Sequence, residues 1–169
     1  MKSFLISILA YFYRVLETSY FKYTYSQYRT KYKIPRSFKF NGKAILLYGN
    51  GTLDIGENSY IGSYSSLQVS EGSTLEIGDN CSISHNVRIY TESNLSDGEW
   101  NVVGKRSYTG NVKIGDHVWI GANVLINPGV SIGDNSIVGA NSVVTKDVET
   151  NTIAGGVPAK LIRHKKLDD

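Results

Sequence analysis

Cysteine, histidine and proline are all scarce in this 169-residue sequence. The one cysteine, Cys81, excludes an internal disulfide framework and any cysteine-based zinc knuckle. Three histidines leave little for a metal centre. Three prolines stand against 17 glycines, and the glycines follow no every-third spacing. That pairing signals repeated tight turns inside ordered structure and excludes a collagen-like chain. Charged residues amount to only 20%, whereas apolar residues reach 41%, enough for a real core and too many for disorder. No apolar run approaches the ~20 residues of a membrane span, because Arg14 and Glu17 interrupt the first one. A secretory leader is not expected either, since aromatic residues follow Ala10 where a small-residue cleavage site would stand.

The charge is unevenly spread. Residues 1–43 hold nine Lys or Arg against one acid, Glu17, a formal +8. The other 126 residues carry −5, and seven of the twelve tyrosines precede position 33. In the first segment Phe4, Leu5, Ile8, Leu9, Phe12, Val15, Leu16 and Tyr20 recur at helical spacing, with Ser3 as N-cap and Pro35 closing the segment. Two readings stay open: a helix packed on the body or on a neighbouring subunit, or an interfacial helix against anionic headgroups over residues 1–33. The chain is expected in the cytoplasm, and under the second reading at the inner face of the plasma membrane. Nucleic-acid binding is not expected, since the basic stretch carries no recognition motif and the remainder is acidic.

The body is repetitive. NVKIGDHVWIGANVLINPG (111–129) overlays GVSIGDNSIVGANSVVTKD (129–147) at an offset of 18, with Ile114, Ile120, Ile126, Ile132, Val138 and Val144 every sixth residue. A small or β-branched residue follows four later, at Val118, Val124, Val130, Ser136, Ser142 and Val148. A looser repeat offsets AILLYGNGTLDIG (44–56) onto SLQVSEGSTLEIG (66–78) by 22. A period of six fits a chain that runs extended, turns, and closes a coil after three such sides, each coil pairing with those above and below. Aliphatic residues point inward. Asn or Gly three later (Asn58, Asn80, Asn86, Asn123, Gly129, Asn135, Asn141) supplies the positive φ of the corner. Cys81 occupies the small inward slot, a packing position. The fold class is therefore an all-β solenoid behind an α-helical segment. Its parts are a basic, aromatic segment 1–40, a solenoid 41–153 with a loop insertion at 91–111, and a basic tail or short helix at 154–169.

The run IGDHVWIGANVLINPGVSIGDNSIVGANSVVTKDV, followed by IAGGVPAKLIR, resembles the hexapeptide-repeat acyltransferases, in particular the maltose, galactoside and capsule or O-antigen O-acetyltransferase branch. The resemblance covers 44–163 and is most specific over 112–163. It implies a left-handed parallel β-helix, a homotrimer, acetyl-CoA bound between adjacent chains, and acetylation of a saccharide hydroxyl, on a free or lipid-linked acceptor, in surface-polysaccharide synthesis. N-acetylation of an amino sugar and a catalytically inactive scaffold are the alternatives. A γ-type carbonic anhydrase shares that fold but needs three converging histidines, which His85 and His117 cannot supply, so no metal is expected.

The resemblance also implies a histidine base, a backbone amide for the oxyanion, and a CoA groove. By position the amide is that of Ala122. The groove falls on Ala140, Thr145, Lys146, Lys160 and Arg163, with Lys165 and Lys166 adding positive charge. Among the histidines, His117 sits in an Asn corner slot and His164 in the basic tail. His85, third in ISHNVR, has no evident backbone role and is the candidate base, with Glu71, Glu92 or Asp97 as its orienting partner. Asn94 stands where relatives carry a histidine. Asn94 itself, Asp97, Trp100 and the outward Trp119 are candidates to contact the acceptor.

Overall fold

The computed structural model describes residues 2–95 and 107–166. A single helix, Lys2–Tyr32, precedes a parallel β-solenoid. The helix runs twelve residues beyond the stretch read from apolar spacing, and Ser3 lies inside it rather than capping it. It ends two residues short of the one before Pro35, where Lys33 turns to φ 53°.

Each coil lays one short strand on each of three faces. The first face stacks Lys39–Asn41, Tyr60–Gly62, Ser82–Ile83, Trp119–Ile120, Ile137–Val138 and Thr152–Gly156 in parallel. The second stacks Leu46–Tyr48, Ser66–Gln68, Arg88–Tyr90, Leu125–Ile126 and Val143–Val144. The third stacks Thr52–Ile55, Thr74–Ile77, Val112–Ile114 and Ser131–Ile132, and ends in a bridge from Ile132 to Val148. Four full coils result, with a fifth whose third side is that bridge.

The six-residue period works as expected. Ile114, Ile120, Ile126, Ile132, Val138 and Val144 are all at most 1% exposed. In-register stacks such as Ile61–Ile83–Ile120–Val138 form a continuous core, each side chain contributing roughly 1.5–3 kcal/mol on burial. All seven Asn or Gly corner positions have positive φ, and so does His117, at 56°. Ala44 and Tyr64 adopt it too, at 53° and 62°, without a residue type that announces it. Cys81 is wholly buried, its thiol 3.0 Å from the Gly115 carbonyl, and burial pushes its pKa up. It packs.

Two departures from the regular coil matter. After Thr91 the chain leaves the solenoid through an antiparallel pair, Glu92–Asn94 with Ser107–Thr109. The root of this loop is tied down at buried Thr91, whose Oγ1 accepts from Ser70 N–H (2.8 Å) and Ser73 Oγ (2.7 Å). At the other end the segment expected as a helix or tail is a strand. Ala159–His164 folds back antiparallel on Thr152–Gly156 and covers the last parallel edge, which would otherwise expose unpaired backbone groups.

The helix caps the opposite end with its second half only. Tyr25 stacks on Phe40 at 4.4 Å, and its hydroxyl donates to Gly42 O (3.0 Å) while accepting from Ile45 N–H (3.2 Å). Tyr32 Oη and Lys31 Nζ donate to Gly49 O, and Arg29 donates to Pro35 O and Phe38 O. The tyrosines and Lys31 thus bond first-coil carbonyls that no earlier coil can reach, and Arg29 ties down the connection into that coil. Tyr25→Ala is therefore expected to lower the unfolding free energy by about 3 kcal/mol, whereas Leu5→Ala on the free half stays within about 0.5 kcal/mol, as read from denaturant melts.

Candidate functional site

The three corners of the prism are built differently. In the corner after the third face, the third residue of each hexad is acidic: Glu57, Asp79, Asp116, Asp134. Each aspartate reaches one coil back. Asp79 Oδ1 accepts from Glu57 N–H (2.6 Å), Asp116 from Asp79 (2.8 Å) and Asp134 from Asp116 (2.9 Å). The chain turns too sharply there for a backbone carbonyl to meet those amides, so a side chain does it.

The corner after the first face starts the same way with other residues. Ser63 Oγ accepts from Lys43 N–H (3.2 Å), and His85 Nδ1 accepts from Ser63 N–H (3.0 Å). His85 therefore has a backbone role after all, and its Nδ1 is held by the Ser63 amide. Accepting at Nδ1 puts the ring proton on Nε2. The recurring acid in the third position of IGD was the signal from which this role could have been read.

Above His85 the pattern stops. The next two third positions are Ala122 and Ala140, which have no side-chain acceptor to offer. The N–H groups of His85 and Ala122 consequently find no hydrogen-bond acceptor among the described residues. The corner itself stays ordered. Asn86, Asn123 and Asn141 form a side-chain amide ladder at 2.8 and 2.9 Å, and Asn123 N–H donates to His85 O (3.0 Å). An amide pinned in place and left without a partner is a donor for something that arrives from outside.

The remaining candidates lie elsewhere on the chain. Thr145 and Lys146 are exposed on the corner after the second face, the corner from which the 91–111 loop leaves, and Asn94 is exposed on the first strand of that loop. Arg163, Lys165 and Lys166 surround Ile137 and Ile153 in a shallow cleft of about 520 Å3 on the first face. Lys165 Nζ there also donates to Asn135 Oδ1. Lys160 borders a separate recess of about 100 Å3 beside Asp147 and Glu149. Trp119 stands 54% exposed between Ser82 and Ile137 on the first face. His117 and His164 are exposed, the former serving its corner. Asp97 and Trp100 lie outside the described residues. A groove of about 880 Å3 on the third face, near Asp54, Glu76 and Lys113, collects none of the candidates. No three His, Cys, Asp or Glu among the described residues are grouped to hold a metal ion.

The chain matches the model of the bacterial transferase hexapeptide (six repeats) over residues 111–146, and that of the hexapeptide repeat of succinyl-transferase over 53–91. It is 42% identical over 116 residues to the galactoside O-acetyltransferase of Escherichia coli K12, covering 69% of this chain and 55% of that enzyme. It is 38% identical over 127 residues to a dTDP-4-amino-4,6-dideoxy-D-glucose acyltransferase of Escherichia coli, covering 70% and 65%. The chain thus spans between half and two thirds of the length of these curated relatives. A solved hexapeptide-repeat-containing acetyltransferase of Vibrio cholerae O1 biovar eltor, complexed with acetyl coenzyme A, superposes with a TM-score of 0.67 at 30% identity, over 85% of this chain and 78% of that one.

The open amide is testable without any substrate. In Ala140→Asp the new carboxylate stands where it can accept Ala122 N–H, as Asp134 accepts Asp116 N–H. Hydrogen exchange at the Ala122 amide is expected to slow by at least tenfold (about 1.4 kcal/mol), with the Asn123 amide unchanged as the internal control.

Proposed function

The chain belongs to the hexapeptide-repeat acyltransferase family, and from that premise we propose that it transfers the acetyl group of acetyl-CoA to a saccharide hydroxyl, in the assembly of a surface polysaccharide. The observation that carries this reading is the unpartnered Ala122 amide, fixed in an ordered corner one coil above His85. Attack on a thioester turns its carbonyl oxygen into an oxyanion. A preorganised N–H in a rigid corner stabilises that charge without reorganising, an effect worth about 10²–10³ in rate. In this reading the hydroxyl oxygen bonds to the acetyl carbon, the C–S bond breaks, and the hydroxyl proton passes by way of His85 to the departing CoA sulfur. Arg163, Lys165 and Lys166 supply positive charge for the CoA phosphates, as do Lys146 and Lys160.

The tautomer of His85 bears on the base role. Its one lone pair is on Nδ1 and is shared with Ser63 N–H, so the ring must leave Ser63 to take a proton. Losing one exposed neutral hydrogen bond costs about 0.5–1.5 kcal/mol. General-base catalysis contributes about 10²–10⁴ in rate, roughly 3–5 kcal/mol. The gain exceeds the cost, so the two roles are compatible. A hydroxyl needs such a base; an uncharged amino group needs it less. The acyltransferase of a dTDP-amino sugar among the relatives keeps N-acetylation as the second reading.

The candidates' placement supports an assembly. Within one chain His85, Ala122 and Ala140 occupy one corner, while Thr145, Lys146 and Asn94 occupy another, with the second face between them. The two sets meet only if the corner of one chain faces the other corner of a second copy, and a closed three-fold ring provides that contact three times. We take the protein to be a homotrimer. Light scattering is expected to return three times the chain mass of 18.7 kDa; a stable monomer would remove the shared cleft.

His85→Gln separates acceptor from base, because Gln can still accept Ser63 N–H but cannot take a proton. It is expected to lower kcat by about 10²–10⁴ in thiol release from acetyl-CoA with a panel of saccharides. Ala140→Asp, by occupying the Ala122 amide, is expected to lower it by about 10²–10³. Full activity in both variants would move the reaction away from this corner.

A further inference from the structure

Among the described residues, nothing covers the first half of the helix Lys2–Tyr32. Phe4, Leu5, Ile6, Leu9, Phe12 and Leu16 are between 58% and 73% exposed, and Tyr11 and Tyr13 are equally open. Successive residues of a helix point ~100° apart, so the triplets Phe4–Leu5–Ile6 and Tyr11–Phe12–Tyr13 clothe every side. A partner helix, or the matching helices of two further copies, covers one stripe and leaves the others in water. A bilayer covers all sides at once.

Length and charge fit the same partner. From Phe4 to Tyr13 the helix rises about 15 Å, half of a hydrocarbon core about 30 Å thick. No helix among the described residues is long and apolar enough to cross a membrane. Arg14 follows this apolar stretch, and Tyr20 and Tyr23, both more than 60% exposed, stand where aromatic residues settle at a membrane interface. Beyond them Lys22, Lys31, Lys33, Arg36, Lys39 and Lys43 are exposed around the foot of the helix. The one acid in this region, Glu17, is paired with Lys43 at 3.2 Å. Several copies of so basic a collar repel one another, whereas anionic headgroups neutralise it at roughly 1 kcal/mol per Lys or Arg.

We propose that residues 4–13 insert into a single leaflet of an anionic bilayer, with the basic collar facing the headgroups and the rest of the solenoid in water. This holds whether or not the chain transfers acetyl groups. The full chain is tested by flotation with phosphatidylcholine vesicles, with and without roughly a quarter of phosphatidylglycerol. It is expected to float with the anionic vesicles and less so as salt rises. Leu9→Glu combined with Phe12→Glu is expected to weaken binding by about a hundredfold or more without lowering the melting temperature. Phe12→Trp, which keeps the surface apolar, is expected to show blue-shifted emission on anionic vesicles alone. The proposal fails if the full chain does not float, or if the double glutamate variant floats as well as the parent. A parent that does not float, with a variant of lower assembly mass, would assign the helix to a second copy instead.

Discussion

A backbone that turns every sixth residue and stacks on its own preceding coil cannot satisfy all its amides with carbonyls. The parallel strands pair normally along the faces, but at each corner an N–H swings out of line. Side chains must meet it, and the third hexad position is the one that reaches. Asp79, Asp116 and Asp134 do this on one edge, and Ser63 and His85 begin it on another. The stack depends on this constraint as much as on its apolar core. The core fixes which residues point inward; the corner acceptors and the Asn ladders fix how one coil sits over the next.

The candidate site is where that constraint is left unmet. Replacing the acceptor by alanine at 122 and 140 gives up a hydrogen bond at an edge that is otherwise regular. An unpaired amide that is only half-buried costs little, because water can serve it. Strain is unnecessary, since the corner geometry is that of its neighbours. The site is thus an interruption in a periodic structure rather than a separate construction, and the solenoid holds the donor rigid on both sides.

Both ends of a solenoid carry unpaired edges, and this chain closes them differently. At the C-terminal end the last strand doubles back on itself. At the N-terminal end tyrosine hydroxyls, a lysine and an arginine from the helix take over the carbonyl bonding that a further coil would have made. The same helix then continues past the body with its apolar residues exposed, so only its second half serves as a lid on the core.

Much of this was legible in residue order, because a period of six constrains every coil alike. Ile114 through Val144 had to face inward, and Asn58, Asn80, Asn86, Asn123, Asn135 and Asn141 had to take positive φ, for reasons local to each hexad. The site was legible only in its members. The role of His85 depends on Ser63, 22 positions earlier but one coil below, and no local rule joins them. Tyr64 and Ala44 take positive φ because the stack imposes it, not because their types favour it. The C-terminal strand forms because an edge is waiting there, which its own sequence of mixed basic and apolar residues does not say. Sequence determined the inward and outward sense of each residue, which is set by bonding along the chain. Tertiary structure decided which amides meet an acceptor, because that depends on the residue one coil away.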